Sequence, residues 1–143
     1  MKKLGQILFI DDDEVNNMVC ERIVKRTLGS IANVFSFTSS EEGLSHLKNE
    51  TVLMEKGAYT LLFLDINMPV LTGWDVLQRI EQMDDKIKNK LLLFMLSSSI
   101  DPDDIRKATE NKLVSDFIEK PLSFVSLFHI MEKHFTPKIE IKV

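Results

Sequence analysis

The sequence predicts a three-layer α/β fold in which a parallel sheet of five strands is covered by helices on both faces. Short apolar runs alternate with longer stretches of helical periodicity, and this unit occurs five times. Two runs are apolar throughout, as expected of strands that are buried on both faces. Right-handed crossovers between such strands produce a doubly wound sheet. The predicted strands are Gln6–Ile10, Asn33–Phe37, Leu61–Leu64, Leu91–Leu96 and Phe117–Ile118.

Three helix starts carry local signals. Ser39, with Glu42 three residues later, has the form of a capping box at the start of the second helix. Asp101 precedes a proline, and an acceptor followed by proline at the first helical position is typical of a helix start. Ser123 is the expected cap of the fifth helix, which we predict to run to about Phe135.

The chain of 143 residues has the length of one domain. Its 44% of apolar residues and 28% of charged residues are ordinary for a globular protein with a buried core. We expect a domain over residues 1–135 and a tail, 136–143, that is too short to fold as an effector domain. Lys138–Val143 alternates apolar and charged residues, so an added strand and a disordered terminus are both open interpretations of the tail.

Charge and cysteine content exclude several classes of protein. The chain has 18 basic and 22 acidic residues and therefore a net charge of −4. Negative net charge disfavours binding to the phosphates of nucleic acid. The single cysteine, Cys20, rules out an internal disulfide and suits a reducing compartment. No apolar run is long enough for a membrane span, and the acidic start does not fit a signal peptide. We therefore expect a cytoplasmic protein that does not insert into membranes.

Polar side chains follow four of the predicted strands. In a parallel sheet the carboxyl ends of the strands meet at one edge, where ligands bind. Carboxylates gathered there repel one another unless a cation enters, and Mg²⁺ suits a few carboxylates with water and a phosphate oxygen. A lysine and a hydroxyl beside such a metal can stabilise a transferring phosphoryl group, which Asp65 could accept. The residues concerned are Asp11, Asp12, Asp13, Asp65, Ser97 and Lys120.

Other ligands fit this edge poorly. A dinucleotide or a flavin mononucleotide needs glycines or backbone amides after the first strand, whereas three aspartates there would repel its phosphate. A calcium loop needs spaced acidic positions and a glycine, which are missing.

Four motifs in order resemble a response-regulator receiver domain of the CheY type. They are the Ile-Leu-Phe-Ile-Asp11-Asp12-Asp13-Glu14-Val15-Asn16 segment, the Leu-Phe-Leu-Asp65-Ile-Asn-Met-Pro69 segment with Gly73, the Leu96-Ser97-Ser98 step and the Phe117-Ile-Glu-Lys120-Pro121 segment. The resemblance spans about Gly5 to Phe135 and implies a flavodoxin-like (βα)₅ fold with strand order 2-1-3-4-5. The Leu96–Ile105 stretch and the short tail look most like stand-alone receivers of the cyanobacterial phytochrome-regulator type.

The resemblance assigns roles to individual residues. Asp65 would be the phospho-acceptor, and Ser97 and Lys120 would bind phosphoryl oxygens. Phe117 would be the aromatic residue whose rotamer changes on phosphorylation, and it carries no hydroxyl where many receivers have tyrosine. We expect a cis peptide bond between Lys120 and Pro121. The implied Mg²⁺ ligands are Asp12, Asp65, the backbone carbonyl of Asn67, and Asp11 either directly or through water.

The resemblance also implies partners and a kind of activity. The phosphoryl donor would be a histidine kinase or a phosphotransfer protein, and the downstream partner is unknown. A broad apolar face on the fifth helix could form a two-fold homodimer with the fourth helix and the fifth strand. The protein would be a signalling phosphoprotein with Mg²⁺-dependent self-phosphotransfer and autodephosphorylation, not an enzyme that acts on a separate substrate.

Two other functions stay open at this point. An aspartate-nucleophile phosphatase of the haloacid dehalogenase type needs an acid two residues after the nucleophile, but Asn67 stands there and cannot supply a proton. A receiver-like interaction module that never carries phosphate is the second alternative.

Overall fold

The structure, a computed structural model, describes residues 2–29, 33–98 and 101–135. A five-stranded parallel sheet has the order β2-β1-β3-β4-β5, which confirms the predicted fold class and strand order. The tail, 136–143, lies outside the described residues. No helix in the described ranges is long and apolar enough to cross a membrane. The strands are β1 (Lys3–Ile10), β2 (Asn33–Phe37), β3 (Ala58–Asp65), β4 (Leu91–Ser97) and β5 (Val114–Glu119).

Six helices lie between or after these strands in the described part of the chain, one more than predicted. The additional helix is a single turn capped by Asp84, whose carboxylate accepts the Lys86 N–H at 2.8 Å. The predicted fourth and fifth helices are therefore α5 and α6. The helices are α1 (Glu14–Leu28), α2 (Ser40–Thr51), α3 (Gly73–Glu81), α4 (Asp85–Lys88), α5 (Pro102–Glu110) and α6 (Phe124–His134).

Helix caps follow the sequence signals closely. Asp101 caps α5 and Ser123 caps α6, each accepting a backbone N–H of the first turn. Ser39 forms one half of the predicted capping box, because its hydroxyl accepts the N–H of Glu42 at 3.3 Å. The complete reciprocal box occurs at the start of α3, between Thr72 and a first-turn aspartate.

The core lies on both faces of the sheet, as the continuous apolar runs predict. Phe9, Phe63 and Phe94 stack across three strands on one face, with ring centroids 5.0 and 5.8 Å apart, beneath α1 and α6. The opposite face packs against α2, α3 and α5. The strands that carry the polar residues at their ends are therefore packed on both faces.

Several predicted strands are shorter than the observed ones. The fifth strand begins at Val114 instead of Phe117, and β1 begins at Lys3 instead of Gln6. Ser115 and Asp116 are exposed because β5 is an edge strand, so apolar content alone did not reveal them.

Candidate functional site

The carboxyl ends of four strands bring the predicted site residues to one edge of the sheet. Asp11 directly follows β1, Asp65 and Ser97 are the last residues of β3 and β4, and Lys120 directly follows β5. The strand order sets β1 beside β3 and places β4 between β3 and β5. Side chains that are far apart in the sequence are therefore neighbours in the fold.

Lys120 connects the two buried aspartates. Its Nζ atom lies 2.7 Å from Asp11 Oδ2 and 3.2 Å from Asp65 Oδ1. The Asp11 and Asp65 side chains are only 1% and 4% exposed, and that of Lys120 is 15% exposed. Two negative charges thus share one cation away from bulk water, where the charges interact more strongly than at an exposed surface.

The surroundings raise the pKa of Asp65. Burial, aided by the negative charge of Asp11, raises it from 3.8 to about 6, although Lys120 and the Asn67 N–H act in the opposite direction. Burial would lower the pKa of Lys120, but its hydrogen bond to Asp11 and the charges of Asp11 and Asp65 raise it above its usual value. One cation is therefore insufficient for the two carboxylates, and the site favours further positive charge.

The raised pKa of Asp65 predicts a pH-dependent stability in the absence of metal. Between pH 3.8 and about 6 the folded state holds this proton more tightly than the unfolded state, so the free energy of unfolding falls as pH rises. Relative to Asp65→Asn, the wild type should lose roughly 1–3 kcal/mol between about pH 4 and about pH 7 in urea unfolding. Burial lowers the pKa values of His46 and His134. Both histidines are present in the two proteins, so their contributions to the pH dependence of unfolding cancel in the comparison. Parallel pH profiles for the two proteins would contradict the assignment.

Three carboxylates form a cluster suited to a hard cation. One oxygen each from Asp11, Asp12 and Asp65 lies within 4.8 Å of the others. Asp12 is exposed, so the cluster is open to solvent on one side. Oxygen ligands of this charge, with room for water, fit Mg²⁺.

Asn67 and Ser97 lie close to Asp65 and to each other. The Asn67 N–H donates to Asp65 Oδ1 at 3.4 Å, and its side-chain amide donates to the Ser97 hydroxyl at 3.3 Å. Ser97 is fully buried, and its backbone carbonyl accepts the Lys120 N–H at 2.8 Å. The peptide bond between Lys120 and Pro121 is cis, as expected. Phe117 is half-buried and packs against the core cluster on the α5 side.

A sequence profile described as "Response regulator receiver domain" matches residues 7–132. The chain belongs to this family. Receiver domains are signalling domains that bind Mg²⁺ at an acidic pocket and work with histidine kinases or phosphotransfer proteins of two-component systems. The acidic cluster of this receiver domain is consistent with that chemistry.

Relatives and solved structures agree with this assignment. The chain is 30% identical to a two-component response regulator from Cytophaga hutchinsonii, with a TM-score of 0.79 over 92% of this chain and 97% of that one. It is 26% identical to the two-component response regulator ARR22 of Arabidopsis thaliana over 94% of this chain and 86% of that protein. It is 25% identical to the hybrid signal transduction histidine kinase L of Dictyostelium discoideum over 93% of this chain, but it spans only 7% of that kinase.

Gly73 contacts the end of β3 in a way that its place in the motif did not explain. Its N–H donates to the Ile66 carbonyl at 2.8 Å, where α3 begins. A Cβ atom at this position would overlap the backbone carbonyl oxygen of Asp65 and lie 2.8 Å from Ile66 Cα. Only a residue without a side chain allows α3 to approach the end of β3 so closely. The contact depends on how the chain turns between β3 and α3, so helical periodicity and capping signals do not reveal it.

Gly73→Ala should destabilise the receiver domain. Glycine to alanine normally stabilises a helix, but the overlap with backbone atoms cannot be relieved by a side-chain movement. We expect a loss of roughly 1–3 kcal/mol in the free energy of unfolding, measured in urea. Gln78→Ala, at an exposed position of the same helix, is the control and should stay near wild type. Wild-type stability of Gly73→Ala would show that the close approach is not required.

Proposed function

We propose that Asp65 accepts a phosphoryl group from a phosphohistidine of a histidine kinase or phosphotransfer protein, with Mg²⁺ bound. The observation that carries this proposal is the shared ion pair of Lys120 with Asp11 and Asp65, beside a third carboxylate. Such a site has more negative charge than its single lysine balances, yet it holds the acceptor buried at a strand end. A divalent cation would balance this excess negative charge and would help to offset the charge that a phosphoryl group adds.

The phosphoryl transfer requires one carboxylate oxygen of Asp65 to attack phosphorus in line. The new oxygen–phosphorus bond forms while the bond from phosphorus to the histidine nitrogen breaks, and the imidazole leaves with that electron pair. Lys120, 3.2 Å from Asp65 Oδ1, moves onto a phosphoryl oxygen, and the Ser97 hydroxyl donates to another. Mg²⁺ held by Asp12 and Asp65 would supply positive charge that offsets the negative charge of the phosphoryl oxygens.

The proposed metal ligands come from two strand ends, those of β1 and β3. Asp12 and Asp65 would bind Mg²⁺ directly, and Asp11 would bind it directly or through water. The backbone carbonyl of Asn67 completes the proposed set. This last ligand rests on the family resemblance and on the position of Asn67 beside Asp65.

The proposed output is a change of packing on the α5-β5-α6 face. Ser97 would shift toward the phosphoryl group, and Phe117 would move into the space that it leaves. Phe124 and Val125 of α6 are 39% and 58% exposed, which supports a partner or homodimer surface on this face. The downstream partner is unidentified. We assign the receiver domain to residues 1–135. We also propose that the protein is cytoplasmic, because its single cysteine, Cys20, is buried as a free thiol, which suits a reducing compartment.

Mg²⁺ should stabilise the folded receiver domain through Asp12. Only the folded state gathers the three carboxylates, so the melting temperature should rise with Mg²⁺ concentration. At a Mg²⁺ concentration one hundred times Kd, binding should add about 2.7 kcal/mol to the free energy of unfolding. Asp12→Ala should lose most of this response in a thermal melt. Asp85→Ala removes one negative charge from an exposed aspartate outside the cluster, and it should respond to Mg²⁺ like wild type. An unchanged response of Asp12→Ala would remove Asp12 from the ligand set.

Acetyl phosphate provides a test of phosphoryl acceptance that needs no partner. Incubation with acetyl phosphate and Mg²⁺ should add one phosphoryl group to the intact protein, detected by mass spectrometry, and chelation of Mg²⁺ should prevent the addition. Bound Mg²⁺ with no phosphoryl gain would favour a phosphate-independent interaction module instead.

A further inference from the structure

The first turn of α1 supplies an amide donor to the acidic cluster. Asn16 Nδ2 donates to Asp11 Oδ2 at 2.7 Å, the same oxygen that Lys120 contacts at 2.7 Å. Asn16 is half-buried, and Nδ2 also lies 3.7 Å from the Cys20 sulfur. The proposed function assigns no role to Asn16.

The two oxygens of Asp11 are held from α1 and its cap independently of Lys120. Oδ1 accepts the backbone N–H of Asp13 at 2.9 Å, and Oδ2 accepts the Asn16 amide. One donor on each oxygen defines the plane of the carboxylate. The two α1-side donors are neutral, so they orient the carboxylate without cancelling its charge.

The Asn16 side chain is not needed to begin the helix. Asp13 caps α1 and accepts the backbone N–H groups of Val15 and Asn16 at 3.0 and 3.2 Å. The next residue, Asn17, contacts a different part of Asp11: its Nδ2 donates to the Asp11 backbone carbonyl at 2.9 Å. The Asn16 amide is therefore directed at the carboxylate that would face the metal.

We propose that Asn16 is a positioning residue for the Mg²⁺ site, which rests on the proposed function. A shift of Lys120 toward a phosphoryl oxygen on Asp65 would weaken its contact with Asp11, and Lys120 is the only cationic side chain on Asp11 within residues 2–29, 33–98 and 101–135. Asn16 remains on Oδ2 and keeps the carboxylate in place toward the metal throughout the transfer. Donors that orient ligating carboxylates in this way commonly contribute roughly 10–100-fold to metal affinity.

The test compares Mg²⁺ affinity in variants that lack the donor. Asn16→Leu has nearly the same size without an amide, and Asn16→Ala removes the amide without adding apolar bulk. Calorimetric titration with Mg²⁺ alone should give a Kd raised by roughly 10–100-fold in both variants. Acetyl phosphate should then require proportionally more Mg²⁺, with the rate at saturating Mg²⁺ less affected. Met18→Ala, half-exposed on the same helix, is the control and should bind Mg²⁺ like wild type.

The outcomes distinguish this inference from the function on which it rests. A wild-type Kd in both Asn16 variants, even with reduced stability in metal-free urea unfolding, would overturn the positioning role and leave the proposed function intact. Failure of the wild-type protein itself to bind Mg²⁺ would overturn the proposed function and this inference together. A raised Kd in both variants, with a normal value for Met18→Ala, would support the positioning role.

Discussion

Asp65→Asn should not acquire a phosphoryl group from acetyl phosphate and Mg²⁺ under conditions that modify the wild type. The amide has almost the shape of the carboxylate but is a poor nucleophile, so the acceptor is lost with little change in packing. The variant should also be more stable than wild type at about pH 7 without metal, because it removes a buried charge whose pKa is raised to about 6. Intact mass and urea unfolding measure the two effects on the same sample.

Asp13→Asn is a matched control for this loss. Asp13 is exposed and caps α1, and asparagine caps helices about as well as aspartate. It should therefore fold and take up phosphate like wild type. A phosphoryl group retained by Asp65→Asn would mean that another residue is the acceptor.

Lys120→Met should cause the largest loss of stability among the site variants. The lysine is the cation between two buried carboxylates, and its removal leaves both without that partner. Removing one member of a buried ion pair costs roughly 3–5 kcal/mol. The loss in metal-free urea unfolding should be smaller at about pH 5, where Asp65 takes up a proton, and Mg²⁺ should recover part of it. Phosphorylation by acetyl phosphate should be strongly slowed.

Lys48→Met tests whether the effect belongs to the site. Lys48 is exposed on α2, so its replacement should change the free energy of unfolding by no more than about 0.5 kcal/mol. A Lys120→Met protein as stable as Lys48→Met, with no change on adding Mg²⁺, would contradict the electrostatic account of the site.

The sequence predicts the fold well, and it also predicts which polar residues lie together at the edge of the sheet. Buried parallel strands must be apolar, so aspartates, a serine and a lysine placed directly after them mark the strand ends. Asp65 and Ser97 are the last residues of β3 and β4, one residue past the predicted strand ends, and Lys120 follows β5. The chain order and strand ends therefore account for which residues come together.

Tertiary details were beyond the sequence patterns. The closer contact of Lys120 with Asp11 than with Asp65 depends on side-chain geometry. The requirement for glycine at position 73 comes from the backbone at the end of the preceding strand, β3, and the donation from Asn16 to Asp11 depends on how α1 leaves β1. These contacts depend on three-dimensional geometry, which the sequence patterns do not report. The single-turn helix Asp85–Lys88 was missed for a different reason, because it is too short for a recognisable helical period.

Localisation of the phosphoryl group decides whether Asp65 is the phospho-acceptor. After incubation with acetyl phosphate and Mg²⁺, the acyl phosphate can be reduced with borohydride to a stable product and its position read by peptide mass spectrometry. We expect modification at Asp65 and none in a sample treated with a Mg²⁺ chelator. Modification at a different residue, or none at all in protein that binds Mg²⁺, would contradict this role of Asp65.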